Sequence, residues 1–181
     1  MELKPLKLEG TFEIVPSVIS DTRGYFAETY RAGVFEEAGL VTEWVQENQS
    51  LSTRLHTLRG LHYQAAPFAQ TKLISVCMGR VLDVFVDIRT GSSTYGQWDS
   101  VELKADRCNG VYIPVGFAHG FCTLEENVIV QYKVDSPYSK ESEGGIFWND
   151  SDLNIDWPTD KPVLSERDRA LVAFADFVSP F

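Results

Sequence analysis

The run over residues 79–89 limits the fold more than any other part of the chain. Leu82, Val84, Val86 and Ile88 occupy every second position in it. A period of two indicates a β-strand, because successive strand side chains point to opposite faces of a sheet. The run therefore predicts a strand with one uninterrupted apolar face.

Similar segments recur along most of the chain. Further strand-like stretches are 11–19, 25–30, 42–52, 98–103, 111–113, 117–124 and 128–134. Gly, Pro and Asn lie between them, which is typical of an all-β sandwich or barrel. The helix-like pieces are 31–38, which Gly39 ends, and a short one that opens at Ser165. Because strands and helices do not alternate, a parallel nucleotide-binding sheet is not expected. We predict a single domain over residues 1–181.

Charge and cysteine content narrow the classes of function. The chain has 16 Lys and Arg against 26 Asp and Glu, a net charge of −10, which argues against binding of a nucleic acid polymer. No apolar run reaches a membrane-spanning length, and residues 1–10 lack a secretory signal. Cys77, Cys108 and Cys122 are odd in number and unclustered, as in proteins with reduced thiols. The expected compartment is the cytoplasm.

Two ionisable residues share strand faces with apolar ones. Lys72 has the same parity as Ile74 and Val76, although a strand lysine normally faces water. It either points inward or lies at the strand end and reaches solvent. His62 also has the parity of an inner face, where a lone histidine is more often a core group than a catalyst.

Few other residues offer chemistry. A catalytic metal site usually needs three or four close ligands, and the only histidines are His56, His62 and His119. There is no Gly-rich phosphate loop, and Cys122 lacks neighbouring cations. No metal and no cofactor are expected, which leaves acid and base chemistry by His, Tyr, Lys and Asp.

An ordered set of motifs extends from Asp21 to Asp168. Its members are Arg59-Gly-Leu-His62, Gln70-Thr-Lys72, 83–89 with 91–96, 113–120, Tyr132-Lys133, and 155–158 with Leu164-Ser165. Together they resemble the dTDP-4-dehydrorhamnose 3,5-epimerase family. The resemblance implies a cupin-like jelly roll, that is, a double-stranded β-helix, and a metal-free homodimer. It also implies inversion of carbons 3 and 5 of a dTDP-linked 4-keto-6-deoxyhexose.

The resemblance assigns four catalytic roles. His62 is the base that removes protons made acidic by the ketone, and Asp168 orients it. Tyr132 delivers a proton to the opposite face of the sugar, and Lys72 stabilises the enolate. For Asp168 the alternative is a helix cap, and for Tyr132 it is core packing. Helix capping and orientation of His62 cannot use the same oxygen of Asp168. The mechanism also requires His62 and Tyr132 to share one cavity.

The same resemblance assigns the nucleotide-sugar contacts. Arg59 and His119 meet the diphosphate, and Arg23 and Glu28 lie on early strands that cross to the neighbouring subunit. Tyr138 stacks on thymine. The remaining contacts are Gln46, Asn48, Glu143 and Arg167. For these four residues and for Tyr138 the alternative is an ordinary surface position.

Two local features need an explanation in the structure. Strict alternation places Arg59 and His62 on opposite faces of one strand, so a shared pocket requires a bulge or twist at Gly60. His56 stands near the position where the family usually carries a glycine.

Three other functions fit some of these observations. A related epimerase would invert only one carbon. A metal-dependent cupin enzyme would need a second histidine two residues after His62, where the chain has Gln64. A non-catalytic module would bind the sugar nucleotide without turnover.

Overall fold

The computed structural model of the chain describes residues 1–181 and contains thirteen strands and two short helices. The strands are β1 (Glu2–Pro5), β2 (Phe12–Val15), β3 (Val18–Asp21), β4 (Gly24–Ala27), β5 (Gln46–Ser52), β6 (Leu58–Gln64), β7 (Lys72–Met78), β8 (Arg80–Asp87), β9 (Trp98–Lys104), β10 (Gly110–Ile113), β11 (Phe117–Thr123), β12 (Val128–Val134) and β13 (Glu143–Gly145). The helices are α1 (Ala32–Glu37) and α2 (Glu166–Arg169). The predicted all-β class is confirmed. The structure contains no helix with the length and apolar character that a membrane crossing requires.

The strands form two antiparallel sheets and a separate hairpin. One sheet has the order β1-β2-β10-β7-β12-β5 and the other β13-β6-β11-β8-β9, while β3 pairs only with β4. From β5 to β13 the chain passes between the two sheets at every connection except that from β8 to β9. This connection pattern is a jelly roll, as predicted.

Strand β8 is buried on both faces. Val81 and Phe85 belong to the core between the sheets. Val84 and Val86 belong to a second core, which residues such as Trp148 complete from the C-terminal segment. The uninterrupted apolar face therefore lies outside the barrel, and the barrel interior receives the other face of β8.

Three predicted strand bounds were wrong. The stretch 25–30 is too long, because β4 ends at Ala27. The stretch 11–19 is two strands, β2 and β3, separated by Pro16 and Ser17. Proline lacks the backbone N–H that a sheet ladder needs, which explains the break. Strand β5 begins at Gln46 rather than at residue 42.

The backbone conformation of His56, in the loop before β6, explains why the family usually has a glycine near this position. His56 has a φ of 58°, in the left-handed region that glycine adopts most easily. Its backbone N–H donates to the carbonyl of Thr123, and its carbonyl accepts from Val163. These bonds attach the loop to β11 and to the C-terminal segment.

Candidate active site

Strand β6 contains the bulge that the sequence required. His62 pairs with His119 and Arg59 pairs with Phe121, so β6 has one residue more than β11 between these pairs. Gly60 lies inside the bulge with a φ of +123°, and a Cβ there would be 2.5 Å from the Cα of Gly120. The bulge brings Arg59 and His62 to the same cavity.

That cavity has a volume of about 310 Å³. Its lining residues are Ser50, Arg59, His62, Lys72, His119, Phe121, Tyr132, Ser165, Arg167 and Asp168. His62 reaches it from the five-stranded sheet, whereas Tyr132 and Lys72 reach it from the six-stranded sheet. The imidazole and the phenol therefore share one cavity and enter it from opposite walls.

A short hydrogen bond joins His62 to Asp168. His62 Nε2 lies 2.6 Å from Asp168 Oδ1. Burial alone would raise the pKa of Asp168, but bonds to His62 and Ser165 outweigh burial and hold this pKa below its ordinary value. An ionised carboxylate only accepts hydrogen bonds, so Nε2 is the donor to it, and in the neutral imidazole Nδ1 then carries the lone pair. In this state the imidazole is a base.

Asp168 also has a role in capping α2. Ser165 is the N-cap, and its Oγ accepts from the Asp168 backbone N–H at 3.1 Å. The same hydroxyl donates to Asp168 Oδ2 at 2.7 Å. Asp168 therefore contacts the N-cap Ser165 and the imidazole of His62 through different oxygens, an arrangement compatible with both predictions for this residue.

Lys72 points inward with Ile74 and Val76, both of which lie in the core between the sheets. Its Nζ lies 3.4 Å from the carbonyl oxygen of His62. Burial lowers the pKa of Lys72 to about 8, although Asp83 and Glu143 oppose this shift. A cation at this wall faces the cavity.

His119 is paired with an aspartate inside the barrel. Its Nε2 lies 2.9 Å from Oδ2 of Asp83, which is fully buried. Burial lowers the pKa of His119, and the Asp83 carboxylate counteracts part of that effect. Lys72 therefore places a hydrogen-bond donor beside the cavity, whereas the imidazole of His119 is neutral and directs its Nε2 at Asp83.

Tyr132 is partly buried against the core between the sheets. Burial raises the pKa of its phenol, and Glu143 adds to the shift while Arg59 opposes it. The phenol therefore retains its proton at neutral pH and can donate it.

The other predicted ligand contacts form a hydrogen-bonded network beside the cavity. Glu143 Oε2 accepts from the Tyr138 hydroxyl at 2.8 Å and from Arg167 at 2.6 Å. Gln46 accepts from the Tyr138 backbone N–H and donates to Asn48. Only Arg167 of these five residues lines the cavity itself. The structure places the predicted nucleotide contacts next to one another.

Arg23 and Glu28 lie outside the cavity lining. Arg23, at the turn of the β3–β4 hairpin, pairs with Asp21, and Glu28 pairs with Arg31. Arg59 lines the cavity and is held by Ser52 Oγ and the Leu51 carbonyl at 3.2 Å each.

Sequence reasoning missed four polar residues around the site: Asp83, Ser50, Ser165 as a cavity residue, and Gln64. Asp83 had a signal, since it is a carboxylate on a strand between Val81 and Phe85. The buried Oγ of Ser50 has no hydrogen-bond partner in the protein.

Gln64 occupies the position of a second metal-binding histidine, but its amide is committed elsewhere. It donates to the carbonyls of Phe68 and Pro137 and accepts from the Ser139 N–H at 2.8 Å. These bonds hold the backbone on both sides of Tyr138.

The fold and the cavity define a class of jelly-roll proteins with paired acid and base residues in the barrel. The family model for dTDP-4-dehydrorhamnose 3,5-epimerase matches residues 5–176. The chain belongs to this family.

Individual relatives are similar over most of their length. A dTDP-4-dehydrorhamnose 3,5-epimerase of Shigella flexneri is 49% identical over 154 residues, which are 84% of each protein. A crystal structure of the Bacillus anthracis enzyme with TDP and PPi bound has a TM-score of 0.92 and 43% identity over 95% of this chain and 98% of that one. A dTDP-4-dehydrorhamnose 3-epimerase of Streptomyces niveus is 38% identical over 97% of this chain and 85% of the relative.

Proposed function

We propose that the protein inverts carbons 3 and 5 of dTDP-4-dehydro-6-deoxy-glucose to give dTDP-4-dehydro-rhamnose, in dTDP-rhamnose biosynthesis. The observation that carries this proposal is the position of His62 and Tyr132 on opposite walls of one cavity. Inversion needs a proton to leave one face of the sugar ring and another to arrive on the other face. The family membership and the TDP-bound relative support a dTDP-sugar as the substrate.

The chemistry follows from the ketone at carbon 4 of the sugar. The ketone acidifies the hydrogens on both neighbouring carbons, so His62 Nδ1 removes one of them and an enolate forms. Asp168 stabilises the resulting imidazolium through the 2.6 Å bond. The Lys72 cation stabilises the enolate oxygen, and a fixed donor of this kind typically lowers a barrier by about 3 kcal/mol. Tyr132 then protonates the carbon from the opposite side.

The substrate's diphosphate gives Arg59 and His119 a role. Arg59 and His119 line the cavity, and a guanidinium can donate two bonds to one phosphate. We assign Arg167, Glu143, Gln46 and Asn48 to the rest of the nucleotide sugar. Arg59, Lys72 and Arg167 place positive charge at the cavity, so the acidic excess of the chain does not exclude an anionic substrate.

A single-carbon epimerase is the second candidate, favoured by the 38% identical 3-epimerase. The same residues can serve either reaction, because only the number of carbons presented to His62 differs. Incorporation of deuterium from the solvent distinguishes the two functions. A double epimerase incorporates deuterium at carbons 3 and 5, whereas a single epimerase does so at one of them.

The decisive experiment follows deuterium incorporation into the dTDP 4-keto sugar by NMR. The wild-type protein should label both carbons, and His62→Ala should label neither. His56→Ala serves as the matched control, because this histidine lies in a loop outside the cavity and should leave both exchanges intact. Binding of dTDP without any exchange would instead indicate a binding module, and loss of activity with a chelator would indicate a metal enzyme.

Assembly and location complete the proposal. We assign the active form to a homodimer in which the β3–β4 arm, with Arg23, and the nearby Glu28 complete the partner's site. Ile19 and Phe26 of this arm are 66% and 70% exposed, which supports burial by a second copy. Mixing inactive Arg23→Ala and His62→Ala subunits should restore activity; failure to do so in verified mixed dimers would refute the exchange. We also assign the protein to the cytoplasm, as a single-domain enzyme, and its three free cysteines support the location.

A further inference from the structure

Ser165 contacts the carboxylate that orients the proposed base. The hydroxyl donates to Asp168 Oδ2 at 2.7 Å, while Asp168 Oδ1 meets His62 at 2.6 Å. The Asp168 side chain is buried, so it has little water to replace a lost donor. The three residues form one continuous chain of hydrogen bonds from the start of α2 to the imidazole.

We propose that Ser165 is a positioning residue for the reaction, acting through Asp168 on His62. The inference rests on the proposed function of the site. A carboxylate can rotate about its Cβ–Cγ bond, and the Ser165 hydroxyl opposes this rotation by holding Oδ2. With Oδ2 held, Oδ1 stays directed at Nε2, and the imidazole keeps the tautomer and orientation in which Nδ1 is basic.

The backbone strengthens this restraint. Ser165 Oγ also accepts from the Asp168 N–H at 3.1 Å, so one hydroxyl holds both the main chain and the side chain of the same residue. Helix α2 has only four residues, and a helix this short has little hydrogen bonding of its own to fix Asp168. Ser165 therefore contributes to the placement of the carboxylate, together with His62 and the backbone N–H of Gly60.

Capping and positioning can be separated by substitution, because they use different properties of the hydroxyl. Ser165→Thr keeps the acceptor and the donor, and the exposed position has room for a methyl group. Ser165→Asp keeps a good cap acceptor but cannot donate to Asp168 and adds a second negative charge. Ser165→Ala removes both functions.

The chain offers a matched control at Ser92. Its hydroxyl donates to the buried carboxylate of Asp87 at 2.6 Å and accepts from the Thr94 N–H, which reproduces the Ser165 arrangement away from the cavity. Ser92→Ala should lower the melting temperature and leave kcat unchanged. This variant measures what loss of such a bond does to the fold alone.

The experiment measures kcat, KM, the pH profile and the melting temperature of each variant, with deuterium exchange at both carbons as the rate. Ser165→Ala and Ser165→Asp should lower kcat by about ten- to a hundredfold with KM nearly constant, the range expected for one hydrogen bond to a charged group. Ser165→Thr should retain kcat. In Ser165→Asp the added charge should also move the acidic limb of the profile to higher pH.

The outcomes separate this inference from the proposed function. Full activity of Ser165→Asp would overturn the positioning role and leave the hydroxyl as a cap only. A fall in kcat no larger for Ser165→Ala than for Ser92→Ala would overturn it as well. Absence of exchange in the wild-type protein would refute the proposed function itself.

Discussion

Replacing Tyr132 by phenylalanine should separate the two proton transfers that inversion requires. The His62–Asp168 pair lies on the other wall of the cavity and remains intact in this variant. His62 should still remove a proton, exchange it with solvent and return a deuteron to the face from which the proton left. Tyr132→Phe should therefore label the substrate with deuterium without changing its configuration.

The structure gives the expected magnitudes. Positioned general acids typically contribute 10²–10⁴-fold, so the rate of inversion should fall by about that factor, equivalent to about 3–5 kcal/mol of barrier. No hydrogen bond to Tyr132 contributes to its raised pKa, so removal of the hydroxyl orphans no partner. The free energy of unfolding should change by no more than about 0.5 kcal/mol.

The assay follows isotope content and configuration at both carbons by NMR in deuterium oxide. His62→Ala is the comparison, because it should lose exchange and inversion together. Two results would refute the reasoning. Tyr132→Phe could invert the sugar at nearly the wild-type rate, or it could lose exchange as completely as His62→Ala does.

Three further predictions test the cation, the bulge and the acid stability. Lys72→Met should lower kcat about a hundredfold, because the contact to the enolate is lost. In the wild-type protein the rate should decline above about pH 8 as Lys72 loses its proton, and this decline should be absent in the variant. Gly60→Ala should lower the free energy of unfolding, measured in urea, by more than about 2 kcal/mol. Residue 60 has a φ of +123°, and its new Cβ would collide with Gly120. The control Gly91→Ala should be nearly neutral, because the space around its Cβ is open. Although burial alone would raise the pKa of Asp87, hydrogen bonds from Arg89, Ser92 and Thr94 lower it to about 2. Because the folded pKa lies below the unfolded one, this residue should stabilise the fold by about 2 kcal/mol above pH 4, and the contribution should disappear as the pH falls to 2. Unfolding of Asp87→Asn should lack this part of the pH dependence.

Local sequence patterns predicted the parts of the site that depend on one strand. Lys72 shares the parity of Ile74 and Val76, and the structure places all three toward the barrel interior. The conflict in parity between Arg59 and His62 predicted the bulge at Gly60. In each case a period of two carries the information, because the strand itself decides which face a side chain occupies.

For β8 the alternating pattern could not show which face lies inside the barrel, because this depends on the fold of the whole chain. Both faces of this strand are buried, one between the sheets and one beneath the C-terminal segment. Alternation identifies two faces but does not say which one lies inside the barrel. The alternation therefore assigned no role to Asp83, although Asp83 is the hydrogen-bond partner of His119.

The pairing of His62 with Asp168 spans 106 positions, and no local period reports on such a contact. Its geometry arises from three separate elements: the bulge in β6 turns His62 into the cavity, the C-terminal segment packs on the outer face of β8, and Ser165 begins α2 beside the imidazole. The sequence motif Ser165-x-x-Asp168 predicts the helix start but leaves open which oxygen remains free for another partner. The structure resolves this by giving each oxygen of Asp168 its own partner. One carboxylate can thus contact the N-cap serine of a helix and a histidine at the same time, so contact with the cap does not exclude the predicted orienting role of Asp168.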